Sequence, residues 1–281
     1  MNHEACIGCG LCMLGCPAFE ETGCEVLTAK GRNRALQAGL RAAEMTELIW
    51  ACTMCGYCDA ICPKDVQNVA IVLALRRELW GTPRRSRHEQ ADLVLGCTLR
   101  ERLPELIPSI RRFVQRIGYR ADVTDADCCG SLDVERGAVV PTRVRAGVVC
   151  DPICLEQYDG EFLGALAMRH LDMFDLKGRV YYFVPPRLVN RAPERFYALY
   201  DAMLRRFGCE TNLDLNRLAR CTGMSSVQGL SGEGRDVKAA VERLLATSRA
   251  ERIITCSPAD YLAFRDYSGR PVLFITECVR D

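Results

Sequence analysis

The stretch "ACIGCGLCMLGCPAF", residues 5–19, places four cysteines within eleven residues and closes the run with a proline. A second stretch, "ACTMCGYCDAICPKD" at residues 51–65, repeats the pattern almost residue for residue. Both have the form Cys-x2-Cys-x2-Cys-x3-Cys-Pro. Thiols at this spacing are poorly placed to staple distant loops by disulfides but well placed to surround a metal. The two runs therefore predict a metal-binding N-terminal domain.

The duplicated run resembles that of the two-cluster ferredoxins, in which each 4Fe-4S cluster takes three cysteines from one run and the last cysteine of the other. Gly8, Gly10 and Gly56 would let the backbone approach the clusters and point amides at the sulfides. The resemblance implies one cluster held by Cys6, Cys9, Cys12 and Cys62 and a second held by Cys52, Cys55, Cys58 and Cys16.

Two alternatives exist for these thiols. A zinc site uses paired Cys-x2-Cys units but only four ligands, whereas the two runs supply eight cysteines in a duplicated order. Disulfide scaffolds are usually short secreted chains, while this chain has 281 residues and 18 cysteines, eight of them in two tight groups. The pattern favours two iron–sulfur clusters over both alternatives.

Helical patterns follow both runs. Between the runs, apolar residues recur at helical spacing at Leu36, Leu40, Met45, Leu48 and Ile49. The second run leads into "VQNVAIVLALRRELWG", a helix that Gly81 should close. We therefore expect a mostly helical domain over residues 1–85. It looks like the α-helical ferredoxin of succinate dehydrogenase iron–sulfur subunits and of heterodisulfide reductase.

A domain boundary is predicted at "TPRRSRHEQ", residues 82–90, where the helical pattern ends in a basic run. We interpret this run as a solvated linker, with a docking site for an acidic partner as the alternative. From residue 91 short apolar strands alternate with helices, which indicates an α/β domain with a parallel sheet.

The second domain contains an internal repeat. "DCCGSL" matches "RCTGMS", and "GVVCDPICLEQY" matches "IITCSPADYLAF". We predict two copies of one unit, over residues 91–178 and 179–281. The matched positions are Cys97, Cys128, Cys129, Cys150 and Cys154 in the first copy and Pro186, Cys221, Thr222, Cys256 and Asp260 in the second.

This cysteine pattern resembles the CCG domain of the heterodisulfide reductase and glycolate oxidase iron–sulfur subunit families. The resemblance implies a metal site at Cys97, Cys128, Cys129, Cys150 and Cys154, holding a third iron–sulfur cluster, cubane or non-cubane. Zinc and an empty site are the alternatives. Thiolates gathered at several strand ends favour soft metals.

The chain departs from the family pattern in two places. "CDPIC" replaces the usual Cys-Pro-x-Cys, so either Cys150 or Asp151 completes the site beside Cys154. The second copy lacks cysteine at three of its five matched positions, and we expect it to be largely structural. Three further cysteines, Cys24, Cys209 and Cys278, have no partner pattern and are interpreted as small buried hydrophobes.

Composition and missing motifs exclude several functions. The net charge of +1 argues against a nucleic-acid binder. No apolar run of about 18 residues predicts a membrane span, so a cytoplasmic protein is expected, free or peripheral to a membrane complex. The histidines, His3, His88 and His170, accompany no nucleophile motif, which argues against a hydrolase. No Gly-x-Gly-x-x-Gly turn predicts a flavin or nicotinamide site.

The resulting functional hypothesis is an electron-transfer subunit of a heterodisulfide-reductase-like complex of an anaerobe. It would relay single electrons between a flavoprotein or a hydrogenase- or dehydrogenase-type partner and an acceptor at or beyond the CCG domain. Two alternatives are kept. The first copy could itself reduce a disulfide, or the CCG domain could be a docking module whose cysteines are relics.

Overall fold

A computed structural model describes residues 1–81, 90–123, 128–138, 143–233 and 235–280. Residues 82–89 of the predicted linker, His88 among them, lie outside these ranges. Among the described residues, every helix is too short or too polar to cross a membrane.

The N-terminal part is helical, as predicted. Its α-helices are α1 (Pro17–Thr22), α2 (Ala29–Gln37), α3 (Thr46–Trp50), α4 (Tyr57–Ala60) and α5 (Asn68–Trp80). The segment with helical apolar spacing between the two cysteine runs forms two helices, α2 and α3, and not one. Helix α2 ends because Gly39 takes a left-handed conformation (φ +85°). Helix α5 ends at Gly81, which confirms the predicted stop.

Helix α5 is the centre of this part of the molecule. Its residues Ile71 and Leu75 pack with Met45 and Ile49 in a small hydrophobic core. The cysteines Cys6 and Cys62, from opposite runs, pack against the same core. The core therefore brings the beginning of one cysteine run to the end of the other.

The C-terminal part contains two parallel sheets, which confirms the predicted α/β class. The first sheet has the order β1-β2-β3, with β1 (Ala91–Val94), β2 (Val144–Val149) and β3 (Tyr158–Phe162). The second has the order β5-β4-β6-β7, with β4 (Val180–Phe183), β5 (Glu210–Thr211), β6 (Arg252–Thr255) and β7 (Val272–Phe274). Strand β4 is buried along its whole length, as parallel strands covered on both faces usually are.

Helices cover these sheets. They are α6 (Cys97–Arg102), α7 (Ile107–Arg116), α8 (Ser131–Glu135), α9 (Leu163–Arg169), α10 (Pro186–Val189), α11 (Pro193–Phe207), α12 (Val227–Ser231), α13 (Val237–Leu245) and α14 (Pro258–Tyr267). Their apolar faces join both sheets in one large hydrophobic core. The Phe113 and Phe174 rings, 5.3 Å apart, and a 2.8 Å hydrogen bond between Ser109 and Thr276 lie within it.

The two sheets share one strand order. Strands β1 and β4 each lead into a helix at a matched position, Cys97 or Pro186. A parallel bridge between Leu93 and Val123 lies on the free edge of β1. In the second sheet β5 occupies the corresponding position beside β4. A duplicated unit would produce this correspondence.

The two halves differ after their second main strand. In the second half Cys256 is followed by the full helix α14, whereas in the first half a single 3₁₀ turn, Cys154–Glu156, leads directly into β3. The difference falls at the segment "CDPIC", residues 150–154.

The three unassigned cysteines have different environments. Cys278 is buried and Cys209 is half-buried against the main core, as expected of small hydrophobes. The expectation for Cys24 is wrong, since its side chain is exposed. Cys24 precedes the 3₁₀ turn Glu25–Leu27 at the surface, where its N–H donates to the Thr22 hydroxyl (3.0 Å).

Candidate metal centres

The first candidate centre is a cavity with about 360 Å³ of empty space. Four cysteines line it: Cys6, Cys9, Cys12 and Cys62. The cavity brings three cysteines of the first run to the last cysteine of the second. Cys9 is exposed, so this centre lies at the surface of the molecule.

Glycines and α2 shape the loop that surrounds the first cavity. Gly8 (φ +71°) and Gly10 (φ +87°) adopt left-handed conformations, which turn the backbone around the cavity. Arg34 of α2 donates to the Ile7 carbonyl (3.0 Å), and Gln37 donates to the Cys6 carbonyl (2.9 Å). Because two carbonyls of this loop are hydrogen-bonded to α2, its backbone is held around the cavity that its cysteines line.

The second candidate centre is a cavity with about 380 Å³ of empty space. Its cysteines are Cys16, Cys52, Cys55 and Cys58, together with Cys12. Cys12 thus lines both cavities, and the two centres are neighbours. Gly56 (φ +80°) begins α4 and turns the second run in the same way as Gly10 turns the first.

The donor chemistry of both cavities fits iron–sulfur clusters. Each cavity is lined by at least four thiols, and soft thiolates suit iron–sulfur clusters. Burial raises the pKa of Cys16 to about 12 and raises that of Cys58 well above its usual value. Because thiolates are the ligands of iron–sulfur clusters, occupation of the site must release the protons of these thiols. Within the described ranges, no group of three or more Cys, His, Asp or Glu side chains could hold a single metal ion.

Arg76 of α5 holds the second run in place. It is 0 % exposed, and its guanidinium donates to the carbonyls of Cys52 (2.7 Å) and Ile49 (3.2 Å). The same group donates to the Glu135 carbonyl (2.8 Å) in the first copy of the repeat. One buried cation therefore fastens the metal-binding loop to the C-terminal part.

We expect Arg76→Met to lower the free energy of unfolding by roughly 3 kcal/mol. The substitution leaves several buried carbonyls without a donor, and hydrogen bonds to a charged group are stronger than neutral ones. Chemical denaturation followed by circular dichroism measures the change. The control is Arg77→Met, which replaces the exposed neighbour on α5 and should change stability little. Equal stability of the two variants would contradict the role given to Arg76.

Residues of the second copy also hold the loop at residues 51–55. Their donors and the carbonyls they reach are Asn190 to Cys55 (3.1 Å), Arg191 to Met54 (3.1 Å), Gln228 to Cys52 (3.1 Å) and Arg235 to Ala51 (3.0 Å). Met54 has a left-handed backbone (φ +61°), which costs energy for a residue with a side chain. These long-range contacts, which the sequence analysis missed, maintain that conformation.

Cys221 of the second copy also contacts the second centre. Its sulfur lies 3.8 Å from the hydroxyl of Thr53, a residue that lines this cavity. The available signal in the sequence was that Cys221 is a cysteine although three of the five matched positions of the second copy are not.

The third candidate centre lies at the C-terminal end of β1, with about 330 Å³ of empty space. Four of the five predicted cysteines line it, namely Cys97, Cys128, Cys129 and Cys154. The sulfurs of Cys129 and Cys154 are 3.2 Å apart, and those of Cys97 and Cys128 are 3.9 Å apart. Arg100 and Tyr158 complete the lining.

The fifth predicted residue lies outside this cavity. Cys150 is fully buried in the main hydrophobic core. Asp151 is buried beside the site, where its carboxylate accepts from the Ile153 N–H (2.9 Å), and burial raises its pKa to about 6. Gly96 (φ +85°) keeps this corner open, because a Cβ there would lie 3.1 Å from the Cys154 sulfur.

The corresponding region of the second copy is filled by a polar network. The buried Asp260 carboxylate accepts hydrogen bonds from Thr222 (2.5 Å), Ser225 (2.6 Å) and Ser257 (2.6 Å). Cys256 is buried in the main core. The carboxylate is therefore satisfied by hydroxyl groups that belong to the chain itself.

Comparisons with known proteins agree with the N-terminal geometry. Residues 2–66 match the family model of the 4Fe-4S dicluster domain. The chain is similar to the fumarate reductase iron–sulfur subunit of Escherichia coli O157:H7, with 35% identity over 81 residues that cover 25% of this chain and 33% of the relative. The Haemophilus influenzae protein of the same name gives 35% identity over 81 residues, covering 25% of this chain and 32% of the relative.

A further similarity is to one of the subunits of the ferredoxin:CoB-CoM heterodisulfide reductase of Methanosarcina mazei. It shows 29% identity over 98 residues, which cover 33% of this chain and 57% of the relative. The chain thus spans about a third of the length of the fumarate reductase proteins it matches. These similarities support an iron–sulfur, ferredoxin-like N-terminal part.

Proposed function

We propose that this protein transfers single electrons through two 4Fe-4S clusters in its N-terminal part. The observation that carries the proposal is the pair of adjacent cavities that share Cys12, within the segment that matches a dicluster domain. The proposed ligands are Cys6, Cys9, Cys12 and Cys62 for the first cluster and Cys16, Cys52, Cys55 and Cys58 for the second. The clusters supply reversible one-electron chemistry, and the chain sets their potentials through hydrogen bonds and burial.

The proposed route leads from the first centre, which has an exposed cysteine, to the second, whose cysteines are all partly buried. Cys9 and the neighbouring side chains Ile7 (55 % exposed) and Leu11 (39 % exposed) form an accessible apolar surface at the first centre. The second centre is enclosed by contacts from the C-terminal part through Arg76 and Asn190. An electron taken up at the surface would thus move toward the CCG-like domain.

We further propose a third iron–sulfur cluster at Cys97, Cys128, Cys129 and Cys154. The four thiols share one cavity, and their type suits a soft metal site. Zinc was the alternative in the sequence analysis, but these side chains do not form a single-ion site as they stand, which favours the cluster. The chain would then serve as the iron–sulfur subunit of a heterodisulfide-reductase-like complex, with a flavoprotein or a hydrogenase- or dehydrogenase-type protein as electron donor. The name of the Methanosarcina relative supports this class of complex.

A second candidate function is disulfide reduction at the third centre itself. The cavity opens at the C-terminal end of a parallel strand, where α/β proteins commonly bind ligands. Two electrons and two protons would convert a bound disulfide into two thiols, and Arg100 could attract an anionic substrate. A docking module with relic cysteines is the third possibility.

Iron and acid-labile sulfide analysis of anaerobically purified protein tests the proposal. We expect about twelve irons per chain, four for each of three clusters, and about eight if only the dicluster part is filled. The double variant Cys128→Ser/Cys129→Ser should lose about four irons, whereas the control Cys209→Ser should lose none.

Two results would contradict these proposals. A colourless protein that binds zinc alone would rule out electron transfer through clusters. Unchanged iron content and unchanged electron transfer in the Cys128→Ser/Cys129→Ser variant would favour the docking module over chemistry at the third centre. Turnover of a disulfide by the isolated chain would instead favour the catalytic alternative.

A further inference from the structure

We propose that an open groove between α7 and the C-terminal segment, residues 275–280, binds a small polyanion, a compound that carries several phosphate or carboxylate groups. The groove contains about 1160 Å³ of empty space, open solvent included. Concave sites of several hundred to about 1,000 Å³ are typical of small-molecule binding. The lining residues differ from those of the three candidate metal centres, so the site is separate from the proposed electron-transfer function.

The groove lies at the junction between the two halves of the C-terminal part. One wall is helix α7 of the first half. The other wall belongs to the second half and consists of the 3₁₀ turn Ile275–Cys278 and the residues after it. This turn directly follows the C-terminal end of β7, and ligands of parallel α/β sheets commonly bind at that end of the strands. A ligand in the groove would therefore contact both halves.

Three arginines without a counter-ion line this groove. They are Arg112 and Arg116 of α7 and Arg280 of the C-terminal segment, and all three are exposed. Within the part of the chain that the structure describes, none of them forms an ion pair. Arg112 and Arg116 are four residues apart, so they share one face of α7, where like charges repel each other. An anion bound beside them would offset this repulsion.

Backbone contacts hold the wall that carries Arg280 in place. The Arg280 N–H donates to the Met173 carbonyl (2.8 Å), and Val279 forms an antiparallel bridge with Phe174. The Arg116 guanidinium donates to the Arg280 carbonyl (2.5 Å), which joins the two walls. Because these contacts fix the backbone from which the arginine side chains extend, binding requires little reordering of the chain.

The remaining polar residues of the groove leave its charge positive. Ser109 and Thr276 are buried hydroxyl residues that hydrogen-bond each other (2.8 Å). Two glutamates, Glu105 and Glu277, also line the groove, and the Glu277 carboxylate accepts the Phe274 N–H (2.7 Å) within its own turn. The lining thus carries three positive charges against two negative ones, which favours an anionic ligand.

The experiment is isothermal titration calorimetry of the full-length chain at low ionic strength, with sodium pyrophosphate and, separately, with citrate. We expect saturable binding of at least one probe, and the tighter probe shows whether phosphate or carboxylate groups are preferred. Arg112→Gln and Arg116→Gln should each weaken binding about tenfold, the usual effect of losing a hydrogen bond to a charged group. The matched control is Arg111→Gln, which removes the same charge from an exposed residue of α7 outside the groove lining and should leave the affinity unchanged.

Three other outcomes would overturn the proposal. Failure of both probes to bind would show that the groove holds no polyanion. Equal weakening in Arg111→Gln and Arg112→Gln would show attraction by overall charge alone. Equal binding by all forms would show chelation of iron or binding elsewhere on the chain. Circular dichroism checks that each variant is folded, and Arg112→Gln decides the test if Arg116→Gln is unstable. Because these measurements do not depend on bound iron, they stay valid if the proposed electron-transfer function fails.

Discussion

Replacing Cys16 by alanine is expected to remove about four irons per chain, and the cluster that disappears should be the one held by the second cysteine run. Cys16 belongs to the first run, but it lines the second cavity with Cys52, Cys55 and Cys58. It directly precedes Pro17, the first residue of α1. Cys16 therefore lies with the second run, apart from Cys6 and Cys9, which line the first cavity.

Double variants distinguish this crossed ligation, in which the last cysteine of each run binds the other cluster, from an arrangement in which each run holds its own cluster. In the crossed arrangement, Cys16→Ala/Cys52→Ala removes the same four irons as either single change, whereas Cys16→Ala/Cys6→Ala removes about eight. If each run holds its own cluster, Cys16→Ala/Cys6→Ala removes about four irons and Cys16→Ala/Cys52→Ala about eight. Iron analysis of anaerobic protein, with Cys24→Ala as the control, separates the two cases. Cys24 is exposed and lines neither cavity, so its loss should remove no iron.

Cys62, the last cysteine of the second run, supplies an independent check of crossed ligation. Cys62 of the second run lines the first cavity, and its sulfur accepts the Val66 N–H (3.4 Å). Cys62→Ala should therefore remove the surface cluster and leave the buried one. The remaining electron paramagnetic resonance signal should differ from that of the Cys16→Ala variant. Identical spectra from the two variants would contradict crossed ligation.

The cysteine runs made the N-terminal cavities predictable, because their ligands are close in sequence and their spacing is tied to one chemistry. Local patterns also predicted α5 and its end at Gly81. The break between α2 and α3 was harder to predict, since the apolar spacing continues across Gly39 and only the left-handed backbone ends the helix. Strand β3 was missed because "YDGEF" has a glycine and two acidic residues, which are depleted in strands.

The contacts that join the two parts could not be predicted from local patterns. Arg76 and Arg187 are arginines in ordinary sequence contexts, and only the fold shows that both are almost fully buried. The same is true of Cys221, whose neighbour Thr53 lies far away in the chain. Pairings of this kind depend on how distant elements pack, whereas ligand spacing within one run is a local property.

Arg187→Met is expected to lower the free energy of unfolding by about 3–5 kcal/mol, the usual cost of breaking a buried ion pair. Arg187 of α10 is 2 % exposed and pairs with Glu135 (1 % exposed) and with Glu156 (2.6 Å). Its guanidinium also donates to the Ser225 carbonyl (3.0 Å). The two carboxylates belong to the first half and Arg187 to the second, so the network joins the two halves.

The magnitude follows from what the substitution leaves behind. Without Arg187, the carboxylate of Glu135 stays buried but loses its ion-pair partner, although its second oxygen still accepts the Val227 N–H (2.8 Å). Burial alone would raise the pKa of Glu156, but the charges of Arg187 and Arg191 lower it. The charge of Arg187 has the larger effect of the two. Its removal therefore raises the free-energy cost of keeping Glu156 ionised in the folded protein.

Chemical denaturation under anaerobic conditions measures the effect, with two comparison variants. Arg205→Met removes a mostly exposed pair with Asp201 and should change the free energy of unfolding by less than about 1 kcal/mol. Arg187→Met/Glu135→Met removes a cation together with its buried carboxylate, and it should recover part of the loss because replacing both partners of a buried pair by apolar groups is often tolerated. An Arg187→Met variant as stable as Arg205→Met would show that the network does not hold the halves together. A double variant less stable than Arg187→Met alone would show that Glu135 stabilises the fold mainly through Val227.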